Sequence, residues 1–160
     1  RHIRRMREVY AERLSALILL GSGLSGAQLN VDWTPDQIAR WESAEEDNDW
    51  PAMAELDMEV WAPMGADPEL RAMFLENAVW SNSEDPATDE PVAERVSGIT
   101  APTLVITGGR DVRGINDIGD RLAREIPGAR SAVIQEADHM IPWRAPEELS
   151  HLVLDFLSGR

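Results

Sequence analysis

The sequence predicts an α/β fold in which parallel strands are flanked by helices and interrupted by an inserted helical module. Three observations predict it. Residues 103–107 and 131–134 are short apolar runs with an amphipathic segment between them; this strand–helix–strand order implies a right-handed parallel crossover. Residues 14–20 form an apolar run closed by Gly21-Ser22-Gly23, with the length and punctuation of a buried parallel strand. Between these regions, residues 27–96 carry helical signals and five of the six tryptophans. The expected organisation is a core helix and strand over 1–26, a helical insertion over 27–96 and a C-terminal α/β core over 97–160.

In chain order, residues 1–13 place Ile3, Met6, Val9 and Tyr10 at helical spacing among arginines. Thr34-Pro35-Asp36-Gln37 is a capping box with proline at the first helical position, and it opens a helix to about Ala44. Asp49-Trp50-Pro51 starts a second helix, with Met53, Leu56, Val60 and Trp61 on one face. Asp67-Pro68-Glu69 starts a third, with Leu70, Met73, Phe74, Asn77 and Ala78 at 3–4 spacing. Ser83-Glu84-Asp85-Pro86 reads as a loop. The Trp and Met residues hold a small helical module together; lining an apolar pocket is their alternative use. After Pro102 the pattern turns to α/β. Ile115, Ile118, Leu122, Ala123 and Ile126 make one face of a helix that stops at Pro127-Gly128. Pro146 opens a last helix whose Leu149, Leu152, Val153, Phe156 and Leu157 face the sheet.

At 160 residues the chain fits one ordinary domain, or part of a larger one. It holds no apolar run long enough to span a membrane. The basic start Arg1-His2-Ile3-Arg4-Arg5 lacks the apolar stretch of a signal peptide. Cysteine is absent, which excludes disulfides and thiolate chemistry and makes a cytoplasmic location the expectation. A net charge of −14 argues against a nucleic-acid partner. From Val31 to Glu94 only Arg40 and Arg71 oppose the acids, which fits an inserted module with a solvated acidic face. The chain opens on Arg within a helical pattern, and is expected to continue something upstream.

Two strands end in residues with chemistry. The run at 103–107 leads into Gly108-Gly109-Arg110-Asp111, and the run at 131–134 leads into Gln135-Glu136-Ala137-Asp138-His139. In open α/β sheets the chemistry sits beyond the carboxyl ends of the strands. A carboxylate and an imidazole delivered there by successive strands make the base half of a nucleophile–His–acid triad. Taken alone, Asp111 is a turn or helix-cap aspartate, and His139 a loop histidine packed by Trp143; the strand context and the partner favour the catalytic pairing. His2 and His151 sit on helices and are expected to face solvent.

These residues resemble the C-terminal part of an α/β-hydrolase-fold enzyme. The pattern there is Pro-Thr-Leu-Val-Ile-x-Gly-x-x-Asp, a helix ending near Ile-Pro-Gly-Ala-Arg, a strand, a histidine and a final helix ending Asp-Phe-Leu. This chain has Pro102 to Gly108 with Asp111, then Ile126-Pro127-Gly128-Ala129-Arg130, His139 and Asp155-Phe156-Leu157. Residues 14–23 look like the strand after the nucleophile elbow, and 27–96 fall where the family inserts its helical cap. The stretch from Glu59 to Pro63 is similar to caps of bacterial 3-oxoadipate enol-lactonase-like esterases. The resemblance implies that His139 is the general base and Asp111 the acid that holds its tautomer, in the family order Ser…Asp…His. It implies a small apolar ester or lactone substrate hydrolysed through an acyl-enzyme, with carbon–carbon bond hydrolysis a close relative and no metal or organic cofactor. The chain departs from the pattern twice. Glu136-Ala137-Asp138 stands where Gly-x-Gly often precedes the histidine, and Arg144 stands near a frequent glutamate. The Asp138 acid either raises the pKa of the neighbouring imidazole or points to solvent.

The resemblance places the nucleophile elbow, Gly-x-Ser-x-Gly, and the oxyanion-hole loop upstream of Arg1. Gly23-Leu24-Ser25-Gly26-Ala27 is a near match that lacks the final glycine and a convincing helix after it; Ser22 fits no better. With strands missing on one side, a pairing edge is expected to be exposed and to need the N-terminal half, a swapped partner or a homodimer. The alternative to an enzyme is a truncated or degenerate non-catalytic module that binds a hydrophobic ligand or partner.

Overall fold

Pro102 has no N–H to give a sheet, and the parallel ladder opens directly after it. The Leu17 N–H donates to the Pro102 carbonyl at 2.9 Å, and Leu17 pairs with Thr103. The computed structural model describes residues 14–81 and 91–159. It divides into two compact units, one within Arg1–Asn30 and Asp89–Arg160, the other Val31–Thr88. The expected helix over residues 1–13 and loop over 83–86 lie outside the described residues.

The first unit holds a parallel sheet of β1 (Leu17–Leu20), β2 (Thr103–Gly108) and β3 (Arg130–Ile134), in the order β1-β2-β3. The first strand is shorter than the sequence predicts: residues 14–16 are apolar enough, but the partner strand starts only after Pro102. β2 is central and buried at every position. Its alternation feeds two cores. Val105 joins Leu19, Leu24, Ile118, Leu122 and Ile126 on one face; Leu104 and Ile106 join Ile134, Ala137, Ile141 and Phe156 on the other. The first face is covered by α4 (Arg113–Glu125), the second by the short α5 (Ile141–Arg144) and by α6 (Pro146–Ser158). A 3-10 helix, Ala93–Gly98, sends Ala93 and Val96 into the first core. On α6, Leu149, Leu152, Val153 and Phe156 pack as the periodicity predicts. Leu157 does not; it lies one position past the stripe and is exposed, as is Leu154.

In the second unit, α1 (Pro35–Asp47) is opened by the predicted capping box. Thr34 Oγ1 accepts the Gln37 N–H at 3.2 Å, and Gln37 Oε1 accepts the Thr34 N–H at 3.0 Å. Asp49 caps α2 (Trp50–Trp61), and Asp67 caps α3 (Pro68–Ser81) by accepting the Leu70 N–H. Met53, Ala54, Leu56 and Met58 are buried on α2, while Val60 and Trp61 are only half-buried. On α3 the buried stripe is Leu70, Phe74 and Ala78. Met73 and Asn77, which also have helical spacing, are exposed because an i, i+4, i+8 stripe leaves the i+3 positions beside the seam. Among the described residues no helix is long and apolar enough to cross a membrane.

Candidate active site

β2 and β3 end side by side, with Gly108 opposite Ile134, so the segments leaving them start as neighbours. Main-chain hydrogen bonds hold them together. The Gly109 N–H donates to the Ile134 carbonyl, and the Arg110 N–H to the Ala137 carbonyl, both at 2.9 Å. Only glycine permits this approach: a Cβ on Gly108 would lie 2.4 Å from the Ala137 oxygen, and one on Gly109 2.6 Å from the Gln135 oxygen. Outside, Arg110 and Glu136 form an ion pair across the same two turns.

The two predicted site residues meet there. Asp111 Oδ2 lies 2.9 Å from His139 Nδ1. The Asp111 carboxylate is fully enclosed, whereas the imidazole is about a quarter exposed, so the ring keeps an open edge while its partner is shielded. A carboxylate only accepts, which puts the ring proton on Nδ1 and leaves Nε2 as the lone-pair nitrogen. Asp111 Oδ1 accepts the Val112 N–H at 2.7 Å, just before α4. The contact to the backbone entering α4 and the contact to the histidine are thus made by different oxygens of one side chain, and α4 itself has no side-chain cap. The α4 macrodipole also favours negative charge at that end.

Gly21 closes the site from β1. It has φ +51° and donates its N–H to the Ile106 carbonyl at 2.9 Å. A Cβ on it would stand 3.2 Å from His139 Cε1 and 3.7 Å from Asp111 Oδ2. The sequence marks Gly21 only as strand-ending punctuation; its place beside the imidazole comes from the parallel register.

Asp138 corrects an expectation. It does not point to solvent. Its side chain is fully buried and grips Arg144, with Arg144 Nε donating to Oδ1 at 3.0 Å and Nη2 to Oδ2 at 2.8 Å. The Met140 N–H also donates to Oδ1, at 3.0 Å. Asp138 and Arg144 are missing from the predicted site because one lies in the loop after β3 and the other on the short α5, so no single helix or strand period links them. Trp143 is exposed, as is His151 on α6; His2 lies outside the described residues.

Neither near-match serine sits in an elbow. Ser22 follows Gly21 in a non-helical stretch, and the Ser25 carbonyl accepts the N–H groups of Val92 and Ala93. The next helix opens only at Pro35, so the strand–turn–helix of a nucleophile elbow is not formed at Ser22 or Ser25.

A parallel sheet covered by helices on both faces, with an acid and a histidine beyond adjacent strands, defines the class, and known proteins agree with it. The chain has the α/β-hydrolase fold. In sequence it is similar to a 2-hydroxy-6-oxononadienedioate/2-hydroxy-6-oxononatrienedioate hydrolase of Burkholderia vietnamiensis, 29% identical over 92% of this chain and 55% of that protein. In structure it is similar to an esterase from Thermogutta terrifontis, with TM-score 0.71 and 22% identity over 95% of this chain and 58% of that one. The enol-lactonase of Burkholderia xenovorans LB400 is similar too, with TM-score 0.68 and 22% identity over 96% of this chain and 60% of that one. At such identities the structural likeness shows the fold. No family model matches. The chain spans about half the length of the relative it matches in sequence over most of its own residues.

Proposed function

We propose that Asp111 and His139 are the acid and base of a serine-type hydrolase that cleaves a small apolar ester or lactone through an acyl-enzyme. The observation that carries the proposal is the 2.9 Å contact between them at the carboxyl ends of adjacent parallel strands. In this reading His139 Nε2 takes the proton of the nucleophile and returns it to the leaving group. Asp111 holds the tautomer and faces the imidazolium that forms. The helical unit within residues 27–96 acts as the cap. The nucleophilic serine and the oxyanion hole come from sequence upstream of Arg1. The greater length of the relatives supports this, as does the non-helical path after Gly21. The chemistry so written needs no metal or organic cofactor. Among the described residues β1 pairs with β2 alone, and its outer edge takes a further strand, from that upstream sequence or from a second copy. Carbon–carbon bond hydrolysis is the second reading. It is favoured by the sequence relatives, whose named substrate carries a 6-oxo group and neither ester nor lactone.

The test is to extend the reading frame upstream of Arg1 and assay p-nitrophenyl ester turnover beside the 160-residue chain. Turnover by the extended protein that is lost in His139→Ala and Asp111→Asn supports the proposal. An extended protein with no Gly-x-Ser-x-Gly and no turnover supports the non-catalytic binding module instead. Turnover by the 160-residue chain that disappears in Ser25→Ala would move the nucleophile inside it.

A further inference from the structure

Between Ala137, Asp138 and Ile141, all buried, His139 is only partly exposed, and something must hold its backbone while its ring stays accessible. We propose that Asp138 and Arg144 are positioning residues for His139. Asp138 Oδ1 accepts the Met140 N–H, two residues on; this side-chain turn encloses His139 as its central residue and sets the backbone from which the imidazole projects. An aspartate making that single bond could still rotate. Arg144 removes the freedom, because its planar fork engages both oxygens and fixes the carboxylate in one orientation. Arg144 is itself held: its N–H donates to the Met140 carbonyl at 3.0 Å, and Ile141, at the start of α5, is fully buried in the core. The line of support therefore runs from the core through Arg144 and Asp138 to the His139 backbone, and ends at Asp111. The two departures from the hydrolase pattern are each other's partners. Either alone would leave a buried charge without its counterion, a costly arrangement.

The structural arm of the test uses the 160-residue chain and does not depend on the proposed activity. Proton NMR reads the low-field His139 Nδ1 proton that the bond to Asp111 generates. Asp138→Ala and Arg144→Ala are expected to lose this signal or exchange it rapidly. Asp138→Asn keeps an acceptor for the Met140 N–H and is expected to restore it relative to Asp138→Ala. Arg144→Ala strands a buried carboxylate, so it is expected to be less stable than the double variant Asp138→Ala/Arg144→Ala. If either single variant fails to fold, the double variant decides. Loss of the Nδ1 signal in a folded protein supports the proposal, and an unchanged signal overturns it. A second arm rests on the proposed function and uses the upstream-extended protein. There kcat is expected to fall by on the order of 100-fold with KM held, as for a misplaced base; a change in KM alone would overturn the positioning role. If the extended protein has no activity at all, the functional proposal fails while the NMR arm still decides this one.

Discussion

Gly21 makes room for the ring of His139: a Cβ at that position would lie 3.2 Å from Cε1 and 3.3 Å from Nδ1. Gly21→Ala would crowd the imidazole and force an L-residue to φ +51°. Destabilisation of about 1–2 kcal/mol is expected from the left-handed backbone, measurable by urea unfolding, together with a displaced His139 Nδ1 proton signal. Gly23→Ala is the control. A Cβ there meets nothing within 4 Å, and both readouts are expected to stay at wild type.

Asp111→Asn keeps an oxygen for the Val112 N–H but replaces the acceptor that selects the Nδ1–H tautomer. In the upstream-extended protein kcat for ester hydrolysis is expected to fall by on the order of 10⁴. A loss smaller than about tenfold would show that Asp111 does not hold the base.

Asp57 and Glu59 stand two residues apart on α2 and shift in opposite directions. Burial pushes the Asp57 carboxyl above its ordinary value of 3.8, and a hydrogen bond from Trp61 offsets part of this. The folded chain therefore binds this proton more tightly than the unfolded one. Stability falls as pH rises from about 3.8 through the raised value and stays lower at neutral pH. Asp57→Asn is expected to raise the midpoint of thermal unfolding at pH 7, with the gain vanishing in acid. The Glu59 carboxyl is held below its ordinary 4.5, first by the hydrogen bond from Arg40. Its contribution is present above 4.5 and lost as pH falls below it. Glu59→Gln is expected to flatten that acid limb and to do little at pH 7, because the pair is exposed and screened by solvent.

The outer edge of β1 makes a prediction about assembly. Among the described residues that strand pairs with β2 alone, and an unpaired parallel edge recruits another strand. Sedimentation of the 160-residue chain is expected to show concentration-dependent association, reversed when the upstream sequence is supplied. A folded monomer at every concentration would mean the edge is already covered.

The strands, the capped helices and the two candidate residues were legible because each is written in local chemistry: a short apolar run closed by glycine, proline after a capping side chain, a polar residue after a strand end. Asp111 and His139 could be read only as a pair, each following a strand, and the structure brings them into contact. Other features were hidden because they depend on partners distant in sequence. β1 starts at Leu17 because Pro102, on the neighbouring strand, cannot donate to the sheet. Leu157, Met73 and Asn77 have helical spacing, yet only the packed structure shows which edge of each stripe is covered. Asp138 looked like a loose acid until Arg144 folded back onto it. Gly21 gained its meaning from a register that no local pattern encodes.

The main-chain bonds between the Gly109–Arg110 turn and the Ile134–Ala137 turn bear on how this site can change over time. Acid and base are spaced by amide and carbonyl groups that every non-proline residue carries. The exposed side chains at this rim, Arg110, Gln135 and Glu136, do not set that spacing. A lineage can rewrite the rim without moving the Asp111–His139 pair behind it, provided Gly108 and Gly109 stay. The site separates what selection can vary from what it must preserve, and the dividing line runs between side chain and backbone.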